Sequence, residues 1–257
     1  MAWSKFPYPD DSYVHTPASL KKAWARLHAS DAEPFPKDEA VVDAWIAFHA
    51  GEFEKAAKLG LAAGMDGYAV ANKATAIHAT YLEKAEKKKL ALFEEVAERC
   101  EAQQKEQPKN AAAWYWHAYA LGRYAQGISI VKALSQGIGN KVRNSLDMTV
   151  KLAPKHADAH IGLGTYHAEI IDKVGAMIGG LTYGAKKEDG LKCFKAALKL
   201  NPHSAIARIE YANGLAMLEG KKKMDDAVKL YEEAAACEAL DAMERLDVEL
   251  AKEELAD

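Results

Sequence analysis

The sequence predicts an all-α protein built from repeated pairs of helices. Apolar residues recur at three- and four-residue spacing through most of the chain, which is typical of amphipathic helices. Pro108, Pro154 and Pro202 each follow such a pattern, at intervals of 46 and 48 residues. A proline ends a helix because it lacks the N–H donor and clashes with the preceding turn. The regular spacing therefore indicates one helical unit copied along the chain.

The positions around these prolines also repeat. A small residue stands ten positions after each proline and an apolar residue stands eight positions before it. The small set is Ala118, Gly164 and Ala212, and the apolar set is Cys100, Leu146 and Phe194. Small residues let two helices approach closely, so we expect the larger residues to fill the space between the helices of a pair.

Three motifs resemble tetratricopeptide repeats (TPR): Gly51–Ala57, Phe194–Pro202 and Asp225–Ala234. The resemblance implies a right-handed superhelix of helical hairpins, a TPR-like α-solenoid, that works by binding a partner. The usual period is about 34 residues, so these repeats are lengthened. Residues 90–237 also resemble the regulator-of-microtubule-dynamics family and its bacterial relatives. This resemblance implies a TPR-like binding domain, and it does not imply a microtubule partner.

The chain divides into three predicted regions. Residues 1–38 contain an extended segment, one helix and a proline-rich linker. Residues 39–238 form the repeat array, with about five units. Residues 239–257 read as a polar helix that caps the array, as repeat proteins need to cover their last apolar face.

Composition narrows the classes of function. The net charge is −3 with 28% charged residues, which gives no field for holding nucleic acid or an anionic membrane. The three cysteines form no CxxC pair, which favours buried thiols in a reducing compartment. The N-terminus lacks the apolar core of a signal peptide and no apolar run reaches membrane-spanning length. We therefore expect a cytoplasmic protein without a transmembrane segment.

Aromatic and basic residues mark a candidate binding face. Tyr115, Tyr119 and Arg123 are spaced four apart on one helix face, and Tyr and Arg are frequent in binding hot spots. In TPR folds the first helix of each unit lines the concave groove, so the resemblance implies that this stripe faces a groove. The matching face of later repeats offers Asp158, Ile161, Thr165, Glu169 and Asn213. The alternative is that the aromatic residues pack on the inserts.

Two apolar, glycine-rich inserts lengthen the middle repeats. The apolar residues at helical spacing are Ile128, Val131 and Leu134 in one insert, and Val174, Met177, Ile178 and Leu181 in the other. Together they could build an apolar wall. This pattern supports a second hypothesis, a pocket for a small molecule or lipid.

Other motifs do not predict chemistry. His156, His160 and His167 with Glu169 could suggest a metal site, but His156 falls beside a proline turn and no HExxH motif is present. The glycines of 175–180 lack the strand and the Lys-Ser/Thr ending of a phosphate loop, and no GxSxG motif occurs. The leading hypothesis is a non-enzymatic module without metal or cofactor that binds a protein or peptide. The identity of the partner and self-association stay open.

Overall fold

The computed structural model describes residues 3–256, without the side chains of Ile130, Val131 and Leu134. Within this range the regular structure is helical and no strand occurs, which confirms the predicted all-α class. The helices are α1 (Pro17–Leu27), α2 (Glu39–His49), α3 (Phe53–Ala62), α4 (Tyr68–Tyr81), α5 (Glu86–Glu106), α6 (Ala111–Gln126), α7 (Ile130–Ser135), α8 (Ile138–Leu152), α9 (Ala157–Val174), α10 (Ala176–Tyr183), α11 (Lys187–Leu200), α12 (Ala205–Glu219), α13 (Met224–Ala235) and α14 (Ala242–Ala256).

The chain forms two compact units. The first unit contains residues 1–28, 33–152 and 240–243, and the second contains residues 29–32, 153–239 and 244–257. The predicted N-terminal region, 1–38, thus contributes residues to both units. No helix in residues 3–256 combines the length and apolar character needed to cross a bilayer.

The first unit pairs α2 with α3, α4 with α5, and α6 with α8, so that each first helix packs against its second helix. The short helix α7 lies in the insert between α6 and α8. Polar side chains cap the starts of α1, α2 and α6. Thr16 and Ser19 form a reciprocal capping box before α1, and Asn110 accepts a hydrogen bond from the N–H of Ala113 at the start of α6.

The second unit pairs α9 with α11 and α12 with α13, and α10 lies in the insert between α9 and α11. Ser204 caps α12 by accepting from the N–H of Ala207, and His156 caps α9 through Nδ1. Val248 and Ala251 of α14 pack on Ile209 and Ala234 in an apolar cluster. The C-terminal helix therefore covers apolar surface of α12 and α13.

Phe194, one of the large repeat positions, packs directly against glycines of the two neighbouring helices. This side chain is fully buried between α9 and α12. A Cβ atom on Gly164 would lie 2.7 Å from Cε1 of Phe194, and one on Gly214 would lie 2.3 Å from its Cε2. The expected contact between a small residue after one proline and the large residue before the next is confirmed here. Glycine is required because any side chain would overlap the ring.

Candidate functional site

Tyr119 lies at the centre of the candidate binding face in the first unit. Its hydroxyl is 2.9 Å from Oγ1 of Thr80 on α4, so the contact joins the first helices of two neighbouring repeats. The guanidinium of Arg123 lies over the Tyr119 ring, with Cζ 5.4 Å from the ring centroid. Both side chains are partly exposed. The pair offers a partner the ring of Tyr119 for apolar contact and the guanidinium of Arg123 as a hydrogen-bond donor.

Tyr115 supports this face from beneath. Only 7% of Tyr115 is exposed. Its ring is 4.9 Å from that of Trp116 and 6.2 Å from that of Tyr119. A buried ring has little surface to offer a partner, so we interpret Tyr115 as a packing residue that fixes the position of Tyr119.

The matching residues of the second unit have varied roles. Asp158 and Ile161 are buried, and Ile161 packs with Ala197 and Ala207. Partly exposed side chains are held by neighbours. Thr165 Oγ1 donates to Glu210 Oε2 at 3.0 Å, Glu169 Oε2 accepts from Lys173 Nζ at 3.3 Å, and Asn213 Oδ1 accepts from the Tyr231 hydroxyl at 2.7 Å.

The first unit binds an extended stretch of its own chain. The N–H of Trp3 donates to Glu54 Oε2 at 3.1 Å, and its ring stacks on His78 with centroids 4.3 Å apart. Phe6 lies directly over Gly51, where an added Cβ would be 2.5 Å from Cδ1 of the ring. This arrangement combines capture of a backbone N–H with aromatic stacking, as peptide-binding surfaces do.

The second unit also binds a piece of the N-terminal region. The carbonyl oxygen of Ser30 accepts from the N–H of Asp158 at 3.0 Å, and its Oγ accepts from Nδ2 of Asn201 at 2.8 Å. The N–H groups at a helix start have no partner within the helix. The first turn of α9 therefore uses one of them to hold an irregular segment.

The insert residues divide between surface and interior. Met177, Ile178 and Leu181 of α10 are 77%, 55% and 85% exposed. Ile128 and Val174 are partly buried, while the side chains of Val131 and Leu134 lie outside the described residues. The three exposed side chains project from the second unit rather than enclose a space within it. The insert pocket stays a prediction.

Sequence reasoning missed an open cleft of about 410 Å³ in the first unit. Its lining residues are Glu101, Gln104, Lys105, Trp114, His117, Lys141, Asn144 and Ser145. At its base, His117 Nδ1 is 2.8 Å from Ser145 Oγ and its Nε2 is 3.3 Å from Glu101 Oε1. The residues come from α5, α6 and α8, so no sequence motif links them.

The acceptor-only carboxylate of Glu101 determines which atoms donate in these two hydrogen bonds. The Glu101 carboxylate can only accept, so Nε2 of His117 carries the proton and Nδ1 accepts from the Ser145 hydroxyl. Burial lowers the pKa of His117, while Glu101 opposes the shift. The order is that of a nucleophilic triad, but Ser145 is only 2% exposed. We assign the Ser145–His117–Glu101 hydrogen bonds a structural role, because they join three helices.

The histidines considered for a metal site form hydrogen bonds with backbone groups instead. His156 Nδ1 accepts from the N–H of Ala159, His160 Nε2 lies 3.2 Å from the carbonyl of Pro154, and His167 Nδ1 accepts from the N–H of Lys186. In the part of the chain that the structure describes, no group of three potential ligands has metal-binding geometry.

Comparison with known proteins identifies the fold class. No protein-family model and no curated protein sequence matches the chain. The crystal structure of TTC0263, a thermophilic TPR protein in Thermus thermophilus, is similar with a TM-score of 0.57. The two share 15% identity over 83% of this chain and 97% of that chain. A structure of MamA (MSR-1 C2) has a TM-score of 0.45 and 13% identity, over 84% of this chain and 99% of that chain.

The likeness to TTC0263 shows that the chain has a TPR-like helical-repeat fold, as the motifs predicted. The finer resemblance to the regulator-of-microtubule-dynamics family stays a prediction.

Proposed function

We propose that this protein is a non-enzymatic scaffold that holds a peptide or protein segment on the first-helix face of its repeats. Tyr119 and Arg123 are the anchors in the first unit. The observation that carries the proposal is the stacked Tyr119–Arg123 pair, partly exposed and tied to Thr80 of the neighbouring first helix. None of the three cysteines, all within the described residues, forms a disulfide, which supports a reducing, cytoplasmic location.

The chemistry of the pair suggests the kind of segment. The guanidinium can bind a carboxylate through two parallel hydrogen bonds, and the tyrosine ring offers apolar area at low entropic cost. A segment with an acidic side chain next to an apolar or aromatic one would use both groups. The first unit already holds residues 3–6 through ring stacking and a hydrogen bond from the Trp3 N–H to Glu54, which supports the binding of an extended segment in general.

The proposal is tested by substitution at the two anchors. The full chain captures partners from native lysate, mass spectrometry identifies them, and the affinity of the purified pair is then measured. Tyr119→Ala and Arg123→Ala should each weaken binding by at least about tenfold, as is typical for hot-spot residues. Tyr119→Phe keeps the ring and removes only the contact with Thr80, so it serves as the matched control.

Thermal melting of each variant separates binding from folding. Both anchors are partly exposed, so their removal should leave the melting temperature nearly unchanged. If Tyr119→Ala unfolds the protein, Tyr119 is a core residue and the proposal is wrong. Unchanged affinity in both alanine variants would place the partner elsewhere.

A further inference from the structure

The helix α10 is turned with its small residues inward and its large apolar residues outward. Gly179 is buried, and a Cβ on it would meet Cγ2 of Ile170 at 3.2 Å. Met177, Ile178 and Leu181 form the opposite face and are more than half exposed. A helix on the surface of a monomer normally has the reverse arrangement.

Hydrogen bonds and backbone turns hold this orientation. Gly175 and Gly184, at the two ends of α10, have φ angles of 82° and 63°, which glycine adopts without steric cost. The Ala185 N–H donates to the Gly179 carbonyl at 3.0 Å and closes the C-terminal end of the helix. The hydroxyl of Tyr166 on α9 donates to the Tyr183 carbonyl at 3.0 Å. The outward face is therefore part of the folded structure.

The charges around α10 also follow a pattern. No charged residue occurs between Lys173 and Lys186. These two lysines, both exposed, are the nearest charges in sequence before and after the apolar face. Lys173 is paired with Glu169, and Asp172 precedes it. Long lysine side chains next to an apolar helix keep their ammonium groups in the polar layer of a membrane while the apolar groups enter it.

The size of the face disfavours a second copy of the chain as its partner. Three aliphatic side chains of this kind bring roughly 300 Å² of apolar surface to a contact. A stable protein interface needs about 800 Å² from each partner. A bilayer has no such threshold, because each inserted side chain gains its own transfer free energy.

We propose that α10 docks on a lipid bilayer, with Met177, Ile178 and Leu181 in the interfacial layer and Lys173 and Lys186 near the headgroup phosphates. With eight residues, the helix is about 12 Å long and lies in the interface rather than crossing it. The docking is independent of the peptide face proposed above.

Vesicle flotation with the full chain tests the docking. Vesicles of phosphatidylcholine, with and without phosphatidylserine, are mixed with the protein and floated through a density gradient. The wild-type chain should float with both at high lipid concentration, because the apolar side chains rather than net charge carry the binding. Leu181→Asp should lower the apparent lipid affinity, measured by titrating the lipid, by at least about tenfold, because it removes one apolar side chain from the lipid.

A matched pair of methionine variants provides the control. Met177→Ser should weaken flotation, whereas Met224→Ser, at an exposed methionine of α13, should not. Light scattering of the same samples reports self-association. The proposal is overturned if the wild-type chain stays with neither vesicle, if the α10 variants float like the wild type, or if Leu181→Asp breaks an oligomer and leaves flotation unchanged.

Discussion

His117 shows how burial changes the chemistry of a single side chain in this fold. It is 5% exposed and lies between the Ser145 hydroxyl and the Glu101 carboxylate. Loss of water disfavours the imidazolium, so the pKa of His117 falls below its ordinary value of 6.5. The folded protein therefore holds this histidine neutral under conditions in which the unfolded chain would protonate it.

This difference predicts a loss of stability in mild acid. As the pH falls below 6.5, the unfolded chain takes up a proton that the folded chain refuses, so the free energy of unfolding decreases toward the lower pKa of the folded state. Melting temperatures measured across this range should decline less steeply for His117→Gln than for the wild type. His203→Gln, at an exposed position, should follow the wild-type curve. Parallel curves for all three proteins would contradict the prediction.

At the scale of the element, glycines decide how closely helices pack. Gly164 of α9 faces the ring of Phe194 at a distance that leaves no room for a Cβ. At Gly122 of α6, no described atom outside the neighbouring helix backbone lies within 4 Å of the corresponding position. Glycine therefore allows close packing in α9. In α6 it only lowers helix stability, because glycine disfavours a helix interior.

Alanine substitutions at these glycines should have opposite signs. Gly164→Ala should destabilise the protein by about 1–3 kcal/mol through overpacking. Gly122→Ala should stabilise it by about 0.5–1 kcal/mol, because it removes freedom from the unfolded chain without a clash. Urea unfolding midpoints measure both effects. A stabilising Gly164→Ala would mean that Phe194 can move aside.

At the scale of the whole molecule, the first unit contains residues from both ends of the chain. His49 Nδ1 and Asp241 Oδ2 are 2.7 Å apart and both side chains are buried, although 192 positions separate them in sequence. Trp24 of α1 packs edge-on against Trp45 beside this pair. A contact of this kind joins residues that lie far apart in the sequence.

We expect Asp241→Ala to cost about 3 kcal/mol in the free energy of unfolding, because it leaves His49 buried without its acceptor. Glu52→Ala removes an exposed pair with Lys55 and should cost no more than about 0.5 kcal/mol. Chemical denaturation of the two variants tests the contrast. Equal effects would show that burial adds nothing to the His49–Asp241 contact.

The sequence alone determined the helical class, the lengthened repeat and the small and large positions that pack between paired helices, because these features follow from local periodicity and from residue volume. It placed Tyr115, Tyr119 and Arg123 on one face. Only the tertiary structure distinguished the buried Tyr115 from the partly exposed Tyr119. Helical spacing predicts on which side of its own helix a residue lies. Whether that side chain is buried depends on how the neighbouring helices pack.

The tertiary structure also decided the orientation of α10 and the distant contacts. Helical periodicity identified Met177, Ile178 and Leu181 as one apolar face, but an apolar face normally predicts burial. Gly179, which lacks a side chain, turns toward α9 and leaves that face outside. The pairs His49–Asp241 and His117–Ser145 leave no local pattern, since their members are joined only when separate helices pack.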